Sequence, residues 1–333
     1  MPVDAPRPRL TPARADIRRA VRTALDDLAG RDPAPLVLVA LSGGADSLAL
    51  AAATAFEAPR AGIRAGAVVV DHGLQVGSDA VAARAADQAR SLGLDPVRVV
   101  RVEVGADGGP EAAAREARHA ALHTQARELG AAAVLLAHTL DDQAETVLLG
   151  LARGSGAASL AGMEPVAGLL RRPLLGIRRA TTRQACLDEG LEPWDDPHNV
   201  DPSYTRVRVR ERVLPVLEAE LGPGIAEALA RTAEQAREDA EAFEQQIEEI
   251  IEDICEPAEA GIAVSVRALA ANPAALRQRI IRYVVQAEFG TSLTRAQTLE
   301  VARLVTDWHG QGPVDLPGAT ARREGSLLVF SAA

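Results

Sequence analysis

The stretch that most constrains this chain is Leu36-Val37-Leu38-Val39-Ala40-Leu41 followed by Ser42-Gly43-Gly44-Ala45-Asp46-Ser47. A short run rich in Val and Leu reads as a buried strand. It stops at Ser-Gly-Gly and resumes as Ala45-Asp46-Ser47-Leu48-Ala49-Leu50, a helix-forming run. Strand, glycine turn and helix in that order let backbone N–H groups close on an anion with no Cβ in the way. The helix start adds its own free N–H groups and the positive end of its dipole. Ser42 and Ser47 supply hydroxyls to the same oxygens. Asp46 is the odd member, because a carboxylate facing phosphate repels it unless Mg²⁺ lies between. The Walker loop is excluded: it needs a lysine after its last glycine, and the chain contains no lysine. An ordinary tight strand-to-helix turn is the alternative.

Around this segment, helical and strand patterns alternate. Ala13 to Ala29 carries Ile17, Val21, Leu25 and Leu28 at helical spacing. After the glycine turn, Phe56 to Gly62 reads as a loop. Strands are expected over 65–70, 97–104 and 132–137, and helices over 78–92, 111–129 and 141–153, with a turn at Asp107-Gly108-Gly109-Pro110. That order predicts an α/β fold with a parallel sheet covered on both faces. Ligands in such sheets bind beyond the carboxyl ends of the strands. Ser42–Ser47, Asp71-His72 and the run from His138 to Glu145 all fall there. A domain boundary is expected near residue 215. Beyond it, residues 223–256 read as one long acidic helix, and 262–330 as helices with a final short strand at Leu327 to Phe330.

The net charge of −10 argues against a general basic coat for nucleic acid. It leaves room for a local one: Arg171, Arg172, Arg178, Arg179 and Arg183, then Arg206, Arg208, Arg210 and Arg212, flank a polar loop, Trp194 to Asn199. Arginine holds phosphates through paired hydrogen bonds, so this stretch is a candidate for RNA backbone contact; a salt-bridged surface is the alternative. Trp194 and Tyr204 either stack on a base or pack in a core. The two cysteines, Cys186 and Cys255, form no CxxC, which argues against a zinc site, an iron–sulfur site or a disulfide framework. No run reaches transmembrane length and no signal peptide is recognisable, so a cytoplasmic location is expected.

The SGGxDS loop resembles the PP-loop of the N-type ATP pyrophosphatases, and further blocks resemble one family within that superfamily, the tRNA(Ile)-lysidine synthetases. They are Val70-Asp71-His72-Gly73-Leu74-Gln75, Glu111 to His119, Ala137-His138-Thr139-Leu140-Asp141-Asp142-Gln143-Ala144-Glu145-Thr146, Leu151-Ala152-Arg153-Gly154-Ser155-Gly156 with Gly162-Met163, Arg172-Pro173-Leu174-Leu175, and Asp196 to Arg210. Together they span residues 36 to about 215 in family order. The sequence departs from the family pattern at His119, usually Tyr, at Val207, usually Asn, and at Gln75, commonly Arg. The large extra C-terminal domain of some members is not expected here.

The resemblance implies a Rossmann-like PP-loop ATPase domain over 1–215 and a smaller, mainly helical tRNA-binding domain over 216–333. It implies that ATP adenylates the C2 oxygen of a wobble cytidine in the CAU anticodon of an isoleucine tRNA. Free L-lysine then displaces AMP through its ε-amino group. Ser42, Gly43, Gly44, Ala45, Asp46 and Ser47 would hold pyrophosphate, Asp46 would position Mg²⁺, and Asp71, His72 and His138 would border ATP. Arg115 and Arg118 would contact ATP or the adenylated cytidine. Asp142 and Glu145 would grip the lysine ammonium, and Arg206, Arg208 and Arg210 would meet tRNA. Asp46, Arg118, Asp142 and Glu145 thus form the expected catalytic set, and a homodimer is in keeping with the family.

Blander roles compete at several positions. His72 and His138 also fit structural roles, His72 as a hydrogen-bonded turn residue. Arg115 and Arg118 fit a solvated helix face with Glu111 and Glu116, and Asp141, Asp142 and Glu145 fit helix capping. Three other functions stay open: a thiolase-type PP-loop enzyme, a small-molecule amidotransferase, and a catalytically inactive RNA-binding PP-loop protein. The first lacks cysteine pairs, the second a visible glutaminase domain, and the third is disfavoured by intact Ser42, Asp46, Asp142 and Glu145.

Overall fold

A computed structural model of the chain describes residues 10–73, 77–103, 105, 110–154, 157–258 and 261–333. Residues 1–9 lie outside the described residues, as do Leu74, Gln75, Asp107 to Gly109, Ser155, Gly156 and the Glu111 side chain. By internal contacts the chain forms two compact units, 1–236 and 237–333.

The first unit runs α1 (Pro12–Leu25), β1 (Leu36–Leu41), α2 (Ala45–Glu57), β2 (Arg64–Asp71), α3 (Ser78–Ser91), β3 (Val97–Arg101), α4 (Pro110–Leu129), β4 (Ala131–Leu135), α5 (Leu140–Arg153) and α6 (Ala157–Leu160). It continues with β5 (Val166–Ala167), β6 (Leu170–Arg171), α7 (Arg179–Asp188), α8 (Thr205–Arg208), a π-helical turn over Val209–Val213, α9 (Leu214–Glu220) and the start of α10 (Ile225–Ile254). The sheet order is β3-β2-β1-β4-β6-β5, parallel apart from the β5–β6 pair. β1 pairs with β2 from Leu36↔Arg64 to Leu41↔Val69 and with β4 on its other edge. The strand order therefore reverses between β1 and β4, and the crevice beyond their carboxyl ends is where such a sheet takes a ligand.

Strand alternation divides the core in two. Val37, Val39 and Leu41 join Ile17, Val21, Leu25, Leu48, Leu50 and Ala86 on one face. Leu36 and Leu38 join Leu122, Ala126 and Val134 on the other. The core is aliphatic, as expected from a chain only 2% aromatic. Element ends differ by a few residues from the sequence reading: α1 stops at Leu25 and passes into a 3-10 turn, α2 continues to Glu57, and β3 ends at Arg101. The hairpin β5–β6 was not expected, because two-residue strands around Gly168 carry no readable periodicity.

The boundary expected near 215 falls inside the first unit. Val209, Leu214 and Ala226 pack there with Leu140 and Ala144 of α5 in a small core that ties 209–226 to the site helix. The second unit holds the rest of α10, β7 (Cys255–Ala258), β8 (Gly261–Ser265), α11 (Val266–Ala271), α12 (Ala274–Phe289), α13 (Arg295–Thr306), β9 (Val314–Leu316), β10 (Ala319–Glu324) and β11 (Leu327–Ala332). Helices make up most of it. They pack on an antiparallel sheet ordered β7-β8-β11-β10-β9, of which only β11 matches a strand expected from the sequence. Its core includes Ile247, Leu269, Ile281, Val285, Leu304, Leu328 and Phe330. No helix among the described residues is long and apolar enough to cross a membrane.

Candidate active site

The turn after β1 has the shape of an anion cradle. Gly43 sits at φ +83°, in the left-handed region where a side chain is strained, and a Cβ there would lie 3.3 Å from the Ala85 Cβ. Ser42 N–H donates to Ser47 Oγ at 3.2 Å, Ser47 Oγ donates to the Gly44 carbonyl at 2.9 Å, and Gly44 N–H reaches Ser42 Oγ at 3.4 Å. Gly44 is the N-cap of α2 and supplies no side-chain cap, so first-turn N–H groups there are free to meet a ligand. Ala45 opens the helix, and Asp46 follows in its first turn.

Across the β1–β4 crevice, α5 begins with a capping box. Thr139 N–H and Oγ1 both donate to Asp142 Oδ2 at 2.8 Å, and Asp142 N–H returns to Thr139 Oγ1 at 3.3 Å. Capping thus occupies one oxygen of Asp142 and leaves Oδ1 for a cation. Arg179 of α7 supplies it, with Nη2 at 2.6 Å. The same guanidinium lies 3.3 Å from Glu145 Oε1 and 3.8 Å from Asp46 Oδ2. Glu145 has a fully buried side chain and is gripped by Arg210 through Nε at 2.7 Å and Nη2 at 3.1 Å. Arg206 stands 3.8 Å from its other oxygen and donates to Thr146 Oγ1 at 3.2 Å. Thr182, one turn along α7 from Arg179, donates to Asp46 Oδ1. The result is three carboxylates, Asp46, Asp142 and Glu145, held by three arginines, 179, 206 and 210.

The two aspartates are pulled apart electrostatically. Burial pushes Asp46 above the usual carboxylate range, and the Thr182 hydrogen bond and Arg179 offset only part of that. Burial also acts on Asp142, but there Arg179 and the Thr139 bonds win and hold it below that range. Paired titratable groups set in opposite directions are characteristic of functional sites.

On the neighbouring strand ends, Asp71 accepts the Gly73 N–H at 2.9 Å in a tight turn. His72 faces Arg118 of α4, whose Nε lies 3.4 Å from its Nε2; burial and then Arg118 lower the His72 pKa. His138 follows β4, and burial presses its pKa down to about 4. The Nδ1 atoms of both histidines are buried without a hydrogen-bond partner among the described residues. Arg115 is exposed on α4.

The candidates thus separate. Asp46, Asp142, Glu145, Arg206 and Arg210 converge, and His72 meets Arg118. Arg208 turns away, its Nη1 donating to the carbonyls of Pro202 and Ser203 at 2.7 Å. Within the earlier arginine run, Arg171 pairs with Asp27, Arg178 with Asp141 and Glu227, and Arg183 with Asp195. Arg179 and Thr182 were missed as site residues. Their signal was the shared face of a helix, three residues apart, at its first turn.

A parallel sheet reversing at a pyrophosphate-type glycine loop defines a PP-loop enzyme domain, and a PP-loop domain family model matches residues 16–217. A second model, described as the TilS substrate binding domain, matches 264–328. The tRNA(Ile)-lysidine synthase of Leifsonia xyli subsp. xyli is 67% identical over 299 residues, covering 90% of each chain. Those of Streptomyces coelicolor and Thermobifida fusca are 54% and 52% identical, covering 90% and 96% of this chain and 86% and 98% of theirs. The chain belongs to the tRNA(Ile)-lysidine synthase family. Among solved structures, the U34-tRNA thiolase NcsA from Methanococcus maripaludis superposes with a TM-score of 0.56 at 19% identity, over 67% of this chain and 78% of that one, which shows a shared fold.

Proposed function

We propose that this enzyme joins the ε-amino group of free lysine to C2 of the wobble cytidine in the CAU anticodon of an isoleucine tRNA, working in the cytoplasm. The carrying observation is the juxtaposition, across one crevice, of the cradle at Ser42–Ser47 with the carboxylates of Asp142 and Glu145. Two chemical obstacles, a poor leaving group and an amine protonated at neutral pH, need those two halves. The C2 oxygen is a poor leaving group, so ATP adenylates it and pyrophosphate departs. The lysine ammonium gives up a proton, the neutral amine bonds to C2, the C2–O bond breaks, AMP leaves with the oxygen, and the nitrogen loses a second proton.

In this reading Ser42, Ser47 and the N–H groups of Gly43, Gly44 and Ala45 hold the departing pyrophosphate, stabilising charge as it develops. Asp71, His72 and His138 border the nucleotide, and Arg115 and Arg118 approach the adenylated cytidine. Asp46 is suited to Mg²⁺, which commonly takes one protein carboxylate and fills its other positions with phosphate and water. Mg²⁺ bound with ATP neutralises phosphate charge. Asp142 Oδ1 and Glu145 direct the lysine ammonium, in competition with Arg179. Arg206 of α8 and Arg210 of the π-helical turn tie the helical stretch after the 194–204 segment to the same carboxylates and so couple RNA placement to the lysine site.

The thiolase alternative is disfavoured: Cys186, which is buried, and Cys255, which is half-buried, are both free and lie in different units. The test is mass spectrometry of the wobble nucleoside after incubation with tRNA, ATP, Mg²⁺ and lysine. A lysine adduct on cytidine that requires ATP supports the reading; unmodified cytidine with ATP still converted to AMP contradicts it.

A further inference from the structure

Residues 191–194 bridge three elements. Leu191 N–H donates to the Cys186 carbonyl at 3.1 Å, rooting the segment on α7. Gln88 of α3 takes both backbone groups of Glu192: Nε2 donates to its carbonyl at 3.1 Å, and Oε1 accepts its N–H at 3.0 Å. An amide does this with one donor and one acceptor side by side; a carboxylate or an aliphatic chain does not. Two residues further on, the Trp194 N–H donates to the Gly43 carbonyl at 2.9 Å.

The last bond acts on the cradle through peptide geometry. In a planar trans peptide the carbonyl of one residue and the N–H of the next point in opposite directions. Trp194 fixes the Gly43 carbonyl on the side of the 191–194 segment. The Gly44 N–H is thereby turned the other way, toward Ser42 Oγ at 3.4 Å, where the Ser42 and Ser47 hydroxyls lie 3.1 Å apart. A Gly-Gly peptide with φ +83° at its first residue has no Cβ to hinder its rotation, so its orientation rests on hydrogen bonds, a long one to Ser42 Oγ inside the loop and a shorter one from Trp194 outside it. We propose that Gln88 and the backbone N–H of Trp194 are positioning groups for pyrophosphate binding, holding the Gly43–Gly44 peptide so that its N–H faces the phosphate oxygens of ATP. The inference rests on the reading of this loop as the ATP cradle. It assigns the 191–194 segment a role through its backbone, separate from any stacking by the Trp194 ring.

Proline at 194 removes the N–H, while leucine removes the ring and keeps the N–H. Binding of ATP and of inorganic pyrophosphate, measured by equilibrium dialysis without RNA, is compared in wild type, Trp194→Pro, Trp194→Leu and Gln88→Leu. Thermal unfolding of each is run alongside. Trp194→Pro and Gln88→Leu should weaken both ligands about tenfold, on the scale of one hydrogen bond, and Trp194→Leu less than about threefold. In turnover assays the same two variants should raise the KM for ATP and leave kcat at saturating ATP and the KM for lysine within about twofold. Equal losses in Trp194→Leu and Trp194→Pro would overturn the proposal. So would unchanged ligand binding in Gln88→Leu, with or without a lower melting temperature. A wild type that binds pyrophosphate yet makes no lysidine would refute the proposed reaction and leave this inference standing.

Discussion

Arg179 sets the electrostatics of the crevice, because one guanidinium touches Asp142 and Glu145 and lies near Asp46. Replacing it with alanine leaves three carboxylates facing two arginines. ATP, itself an anion, should then bind about tenfold more weakly in dialysis, and Arg179→Lys should recover part of the loss. His138 carries a separate, pH-dependent signature. Its folded-state pKa of about 4 lies below the ordinary histidine value of 6.5, so between those values the unfolded chain binds the extra proton. Stability from the neutral imidazole is therefore complete above about pH 6.5 and is lost as pH falls toward 4, by up to about 3 kcal/mol. Urea unfolding at a series of pH values should show a steeper acid loss for wild type than for His138→Asn; parallel curves would contradict the assignment.

At the level of elements, α5 is the beam of the site, and its first turn orients Asp142 through the Thr139 box. Thr139 is fully buried, and Thr139→Ala should cost about 1 kcal/mol in urea unfolding and lower lysine incorporation by freeing the Asp142 side chain. The strand–turn–helix of β1 and α2, the alternation through α5 and the acids of α5 were all legible in the sequence, because long periodic runs and glycine turns report local physics. Arg179 was legible only as one arginine among nine between 171 and 212. What separates it from Arg171 or Arg183 is tertiary: α7 packs beside α2, and Thr182 reaches Asp46 from the same face. The second sheet was hidden for a similar reason. β7 is Cys-Glu-Pro-Ala and β10 is Ala-Thr-Ala-Arg-Arg-Glu, sequences of modest strand propensity whose ladders are supplied by β8 and β11.

On the scale of the whole molecule, the chain forms two compact units, each with its own packing. Phe330 is fully buried in the second unit, and Phe330→Ala should destabilise that unit by about 3–5 kcal/mol. In filter binding it should weaken tRNA capture while ATP binding in the first unit stays within about twofold; equal loss of both would argue against a separate substrate-binding unit. In the proposed reaction the first unit handles two small molecules at once, phosphate at the β1–α2 cradle and the lysine amine at α5. Asp142→Asn tests it most directly, since asparagine keeps an acceptor for the Thr139 donors and puts a neutral NH2 group in place of the charged oxygen that faces Arg179. Labelled-lysine incorporation into isoleucine tRNA with a CAU anticodon is measured beside ATP and pyrophosphate binding. Incorporation should fall about a hundredfold or more, as expected for a lost charged partner, with both binding constants within about twofold of wild type. Incorporation at the wild-type rate, or a matching loss of ATP binding, would contradict the account.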